Sequence, residues 1–144
     1  MIEQDTIKLL RECDAGVQMG ISSIDDVMGH VSSTQMLKCL STCRQQHDAL
    51  ATEIEQALER FHDRGKAPNP IAKSMSWLKT NFSMMVYESD KVIAELMTDG
   101  CNMGVKSLSK YLNQYAAADE ASKDICKRLI QMEQQLAEDL QEYL

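Results

Sequence analysis

Proline and aromatic side chains are scarce in this chain: 2 Pro in 144 residues, and 5% Phe, Trp and Tyr together. With so few prolines, little forces a long helix to break. Alternating, β-branched strand patterns are absent, which excludes a sandwich or barrel. Positive charge is short as well, with 15 Lys and Arg against 22 Asp and Glu and a formal charge of −7. Nucleic acid and anionic membrane surfaces both demand a basic face, so neither is expected as a partner. No run of about 18 apolar residues occurs, so no membrane span is expected. The opening residues Met1 to Asp5 lack the basic and then apolar order of a signal peptide, which points to the cytoplasm. There the odd count of five cysteines reads as reduced thiols. Sulfur is what the chain has in excess, with 10 Met beside the 5 Cys. The length predicts a single domain over residues 1–144 that can bury its own core.

Helical periodicity dominates. Thr6, Leu10, Cys13, Val17, Gly20, Ile24, Val27 and Val31 follow gaps of three and four, the stripe of a bundle helix. Gly29 suits a left-handed stop, and Ser32 or Ser33 can cap the next helix. A second stripe runs through Met36, Leu40, Cys43, His47, Leu50, Ile54, Ala57 and Phe61. It ends at Gly65, Pro68 and Asn69-Pro70, a helix stop followed by a new start. The last stripe passes through Ile125, Leu129, Met132, Leu136, Leu140 and Tyr143, leaving Glu133 beside it.

Between Ile71 and Tyr115 nothing marks a turn strongly. Such a length of helix would reach roughly 68 Å, too long for its neighbours at about 1.5 Å per residue. A break near residue 88, capped by Ser89 or Asp90, gives four long helices of matched length over 3–30, 34–64, 89–115 and 119–143. The alternative break lies at Asp99-Gly100. Matched lengths favour the first, and residues 70–87 then form an extra crossover helix between the second and third long helices. The expected fold is therefore all-α, a four-helix bundle of ferritin-like type, because one crossover of this kind distinguishes that fold from simple up-down bundles.

Several stretches carry a family resemblance: Asp14 to Gly20 (DAGVQMG), Arg44 to Leu50 (RQQHDAL), Lys66 to Pro70 (KAPNP), Ser76 to Lys79 (SWLK) and Gly100 to Lys106 (GCNMGVK). Through them the chain resembles the small bacterial ferritin-like bundles of the stress-associated YciF type. The resemblance implies a mid-bundle metal level. A carboxylate-bridged di-iron centre needs a Glu from each of two helices and a Glu-x-x-His from each of the others. Here Arg44 stands three residues before His47 where a Glu is required, and Cys101 stands where the family often has Glu. The one literal Glu-x-x-His, Glu59 to His62, points toward solvent and reads as a surface ion pair. The di-iron complement is mostly missing.

What remains is a soft set. Cys39, Cys43 and His47 share one helix face, while Cys101 and Glu133 fall at a similar height on other helices. Thiolate and imidazole suit copper(I) or zinc. The metal candidates are therefore His47, Cys43, Cys101 and Glu133, holding a single transition-metal ion; the competing reading makes the thiols core filler and His47 a hydrogen-bonded core histidine. Gly16, Gly20, Gly100 and Gly104 form two G-x-x-x-G pairs, read as close approach of two helices or, alternatively, as an opened cavity. Met75, Trp77, Met84, Met85 and Tyr87 crowd the crossover, which suggests a homodimer through residues 70–87. No complete catalytic constellation appears. The leading expectation is a binding or assembly protein with a degenerate metal site and no cofactor, not an enzyme; the alternative is a soft-metal protein.

Overall fold

The computed structural model describes residues 2–61 and 89–144. Four long helices account for almost all of them: α1 (Ile2–Met28), α2 (Thr34–Arg60), α3 (Asp90–Gln114) and α4 (Glu120–Asp139). A short 3-10 turn over Gln141–Tyr143 follows. No strand occurs among the described residues, and no helix among them is long and apolar enough to cross a membrane. The expected crossover helix, the dimer contact through residues 70–87 and the Glu59/His62 pair fall wholly or partly on 62–88 and so lie outside the described residues.

Helix starts follow the predicted chemistry. Ser33, Ser89 and Asp119 are the N-caps of α2, α3 and α4, and their side chains accept from the backbone N–H of Met36, Val92 and Ser122. Each cap satisfies a donor that the first turn would otherwise leave open. Helix α3 therefore begins after Ser89 and runs unbroken through Gly100, so the break near residue 88 is the real one. Gly29 lies past the end of α1 without adopting a left-handed φ; the stop there does not need the glycine conformation that the sequence suggested.

Two polar clasps fix the ends. Asp90 Oδ1 and Oδ2 accept from the backbone N–H of Ser32 at 2.8 Å and of Ser33 at 2.9 Å, tying the start of α3 to the α1–α2 turn. At the other end Thr6 Oγ1 accepts from the Asp119 N–H at 2.8 Å and Asp5 from the Ala117 N–H at 3.1 Å. That bond explains how Thr6, a polar residue, sits buried in the α1 stripe. Together the clasps set the directions as up, down, down, up: α2 and α3 are parallel, and Phe61 and Ser89 stand at opposite ends. Replacing Asp90 with alanine is expected to destabilise the protein by about 1–2 kcal/mol, because two loop donors lose their acceptor. Urea unfolding would check this, and a change within about 0.5 kcal/mol would contradict it.

Around the bundle α1 packs chiefly on α2 and α3 on α4, while α4 also touches α1 and α2, and α1 touches α3. The apolar core is split in two. One cluster includes Leu10, Cys13, Val17, Leu50, Leu108 and Leu129. The other includes Ile24, Leu40, Cys43, Met97, Cys101 and Leu136. On every helix the residues between these clusters fall at one level: Gly20 on α1, His47 on α2, Gly104 on α3 and Glu133 on α4.

Candidate functional site

The level is built around His47, which is 1% exposed. Its Nδ1 donates to the Cys43 carbonyl one turn earlier, at 2.8 Å, with Cys43 Sγ 3.5 Å from the same nitrogen. Its Nε2 lies 3.1 Å from Glu133 Oε1 on α4. An oxygen acceptor at each ring nitrogen requires a proton on both, so the ring is an imidazolium. Burial pushes its pKa down, but the hydrogen bonds to Cys43 and Glu133 and the nearby carboxylate charge outweigh this and hold it up at about 10. His47 and Glu133 thus form an ion pair in the interior, with the Glu133 side chain only 12% exposed.

Glycines make the room. A Cβ on Gly20 would stand 2.7 Å from His47 Cδ2 and Nε2, and one on Gly104 3.6 Å from the Glu133 carboxyl. At Gly16 the nearest atom is a Leu129 methyl at 3.4 Å, and at Gly100 nothing lies within 4 Å. Side chains from α2 and α4, and not close backbone contact, thus occupy the space at Gly20 and Gly104. All four glycines border a cavity of about 140 Å³ between α1 and α3. Met19, Ile24, Leu96, Met97 and Leu108 give it an apolar wall, and His47, Cys101 and Glu133 line its inner side. Glu12 and Tyr111 border it toward the α3–α4 turn, and the half-exposed Met103 stands at its rim.

The four candidate ligands converge on this level. Burial first, and then the charge and hydrogen bond of Glu133, push the Cys101 thiol well up, which places Cys101 against the same carboxylate that His47 holds. Even so, among the described residues no three His, Cys, Asp or Glu side chains are arranged to hold one metal ion. Both His47 nitrogens are engaged, so an ion would have to replace the Nε2 proton and open the Glu133 contact. Arg44 turns outward and pairs with Asp25 and Asp48. Cys39 lies apart, its thiol 3.9 Å from Asp139 Oδ2 and pushed up to about 11 by burial and that carboxylate. Such a thiol is a poor nucleophile at neutral pH.

Glu133 is where the sequence reading needs correction. The predicted stripe of α4 passed through Met132 and left Glu133 at its side. In the structure Glu133 faces the interior opposite His47. A second path, Ser122, Cys126, Leu129, Glu133, Leu136 and Leu140, alternates gaps of four and three throughout, and this is the buried face. Choosing the apolar Met132 over a carboxylate hid it. Cys126 was missed because the stripe took its neighbour Ile125, and the structure buries both. The Cys126 thiol donates to the Leu108 carbonyl at 3.7 Å.

No protein-family model matches the chain, nor does any curated protein or solved structure.

The ion pair carries a pH signature. The folded-state pKa of His47, about 10, lies above the unfolded value of about 6.5. The folded protein therefore holds a proton that the unfolded chain releases, and the pair stabilises fully only below about pH 6.5. Groups facing the ring are Glu133 from α4, Cys43 from α2 and, through Glu133, Cys101 from α3; α1 presents only Gly20. Stability is expected to fall by about 2 kcal/mol between pH 6.5 and 8.5, at up to about 1.4 kcal/mol per pH unit. The upper end of that window meets the ionisation of unfolded thiols at about pH 8.5, which adds to the fall, so the slope between about pH 6.5 and 7.5 is the one that reports the pair. Urea midpoints across the window would check the slope, and a flat profile would mean the pair is not charged.

Proposed function

We propose that this protein is a non-catalytic binding protein, a ferritin-like bundle whose metal level has become a ligand cavity. The parallel course of α2 and α3 supports the ferritin-like reading, since simple up-down bundles alternate. One observation carries the binding reading: an apolar cavity of about 140 Å³ lies over a buried His47–Glu133 pair, bordered by four glycines of which Gly100 has nothing within 4 Å of its Cβ position. Glycine in a helix interior costs about 1 kcal/mol relative to alanine; seating His47 and Glu133 offsets it at Gly20 and Gly104, whereas Gly100 faces open space and has no such packing use. An apolar pocket with a few convergent polar groups is what small-molecule sites look like. The same geometry argues against His47 as a general base. An imidazolium that already donates through both nitrogens cannot take a proton.

Two measurements test this. Metal analysis of protein purified without chelators is expected to find less than one iron per chain; two irons would overturn the degenerate-site reading. A fragment screen by amide NMR is expected to yield compounds that move the Gly16, Gly20, Gly100 and Gly104 signals. A screen in which none moves them would remove the cavity as a binding site.

The convergence of Cys43, His47, Cys101 and Glu133 on one level favours a second reading, a soft-metal site. Titration with copper(I) or zinc against Cys43→Ala decides it, and unchanged affinity in the variant would eliminate the idea.

A further inference from the structure

The cavity has a hydrogen-bonding bias. Its ionisable neighbours include Glu12 and Glu133, and no lysine or arginine borders it among the described residues. Both His47 N–H groups are already used, one on the Cys43 carbonyl and one on Glu133 Oε1. The Cys101 thiol is engaged by the same carboxylate. A carboxylate has about four acceptor positions and no donor, so Glu133 keeps acceptor capacity after both contacts. Its Oε2 lies 3.6 Å from where a Gly104 Cβ would stand, on the α3 side that borders the cavity. The imidazolium balances one carboxylate, and Glu12, which accepts from Tyr111 and whose pKa burial raises, supplies a second acceptor. A ligand that brings donors and positive charge suits these acceptors; an anion would meet two carboxylates with no lysine or arginine among the described lining residues to receive it.

Size sets the rest. An engineered apolar cavity of about 150 Å³ holds benzene, and this one measures about 140 Å³. We propose that the cavity takes a small organic cation, a primary ammonium carried on an apolar group about the size of a benzene ring. The ammonium lies against the free acceptor positions of Glu133, toward Glu12. The apolar group lies on the opposite side, beside Gly100, against Ile24 and Met97. This assignment rests on the binding reading given above and specifies its ligand class.

Titration of the full chain with benzylammonium, benzyl alcohol and benzoate, followed by amide NMR near neutral pH, tests it. Benzylammonium is expected to bind about tenfold more tightly than benzyl alcohol, the difference expected of a charge-assisted hydrogen bond. It should move the signals of Gly16, Gly20, Gly100 and Gly104, and benzoate should leave them in place. Glu12→Gln, which leaves the His47–Glu133 pair intact, should weaken benzylammonium several-fold and leave benzyl alcohol unchanged. Equal or tighter binding of the alcohol or of benzoate would overturn the cation assignment while the binding reading stands. Benzylammonium binding that leaves the glycine signals unmoved would overturn the site. If none of the three probes moves those signals, the cation assignment falls; if the fragment screen is also silent, the binding reading falls with it.

Discussion

Glu133→Ala is expected to lower the unfolding free energy by about 3–5 kcal/mol near neutral pH, the usual cost of removing one partner from a buried ion pair. The loss is large because the His47 ring has no other charged partner among the described residues and only 1% exposure. The ring must then remain charged and unpaired in an apolar interior or release its proton and leave Nε2 without a partner. Glu133→Gln keeps an acceptor and loses the charge, so it should cost less. The double variant His47→Leu/Glu133→Leu should recover most of the stability, because burying two leucines avoids desolvating two charges. Urea unfolding of the four proteins measures this directly. A loss below about 1 kcal/mol in Glu133→Ala would mean the pair is solvated, like the surface bridge between Arg128 and Glu53.

Gly20→Ala and Gly100→Ala should move stability in opposite directions. Both lie in helix interiors, so intrinsic propensity favours alanine at each by about 1 kcal/mol. At Gly100 nothing lies within 4 Å of the new methyl, and the variant should gain about 0.5–1 kcal/mol. At Gly20 the methyl would press on the His47 ring at 2.7 Å. The ring is locked by its Cys43 and Glu133 bonds and cannot swing aside without breaking one. A net loss of about 2–3 kcal/mol is expected after the propensity gain. Thermal unfolding of the two variants side by side would settle it. Stabilisation in both would show that the His47 ring yields freely, and would remove the argument that Gly20 is there to seat it.

The all-helical plan was legible because the apolar spacing states it plainly. The stripes of α1 and α2 predicted from spacing match the buried faces nearly residue for residue, His47 included. The caps of α2 and α3 were readable to within a neighbouring pair, Ser32 or Ser33 and Ser89 or Asp90, and the start of α4 to the vicinity of Asp119, since capping is chemistry within one turn. The partner of His47 was harder. Spacing on α4 permits either Met132 or Glu133 at the inward position, and hydrophobicity chooses the wrong one. Only the imidazole arriving from another helix makes the carboxylate the better occupant. The glycines gave a similar half-answer. Their spacing signalled a need for room, but what fills that room is set by α2 and α4, far away in sequence.

The polar level between the two apolar clusters also bears on how the helices are aligned along their axes. Stripes of leucine, valine and cysteine fit one another at several offsets, because one turn of helix, about 5.4 Å, brings a similar side chain back into place. His47 and Glu133 do not tolerate such a slip. Shifted by one turn, each charge would meet a leucine layer and lose its partner. The pair therefore acts as a peg that admits one vertical setting, much as a single buried polar residue fixes the offset of a coiled coil. The double leucine variant, stable as it should be, is expected to lose that single setting and give broadened or doubled amide signals from the residues around Gly20 and Gly104.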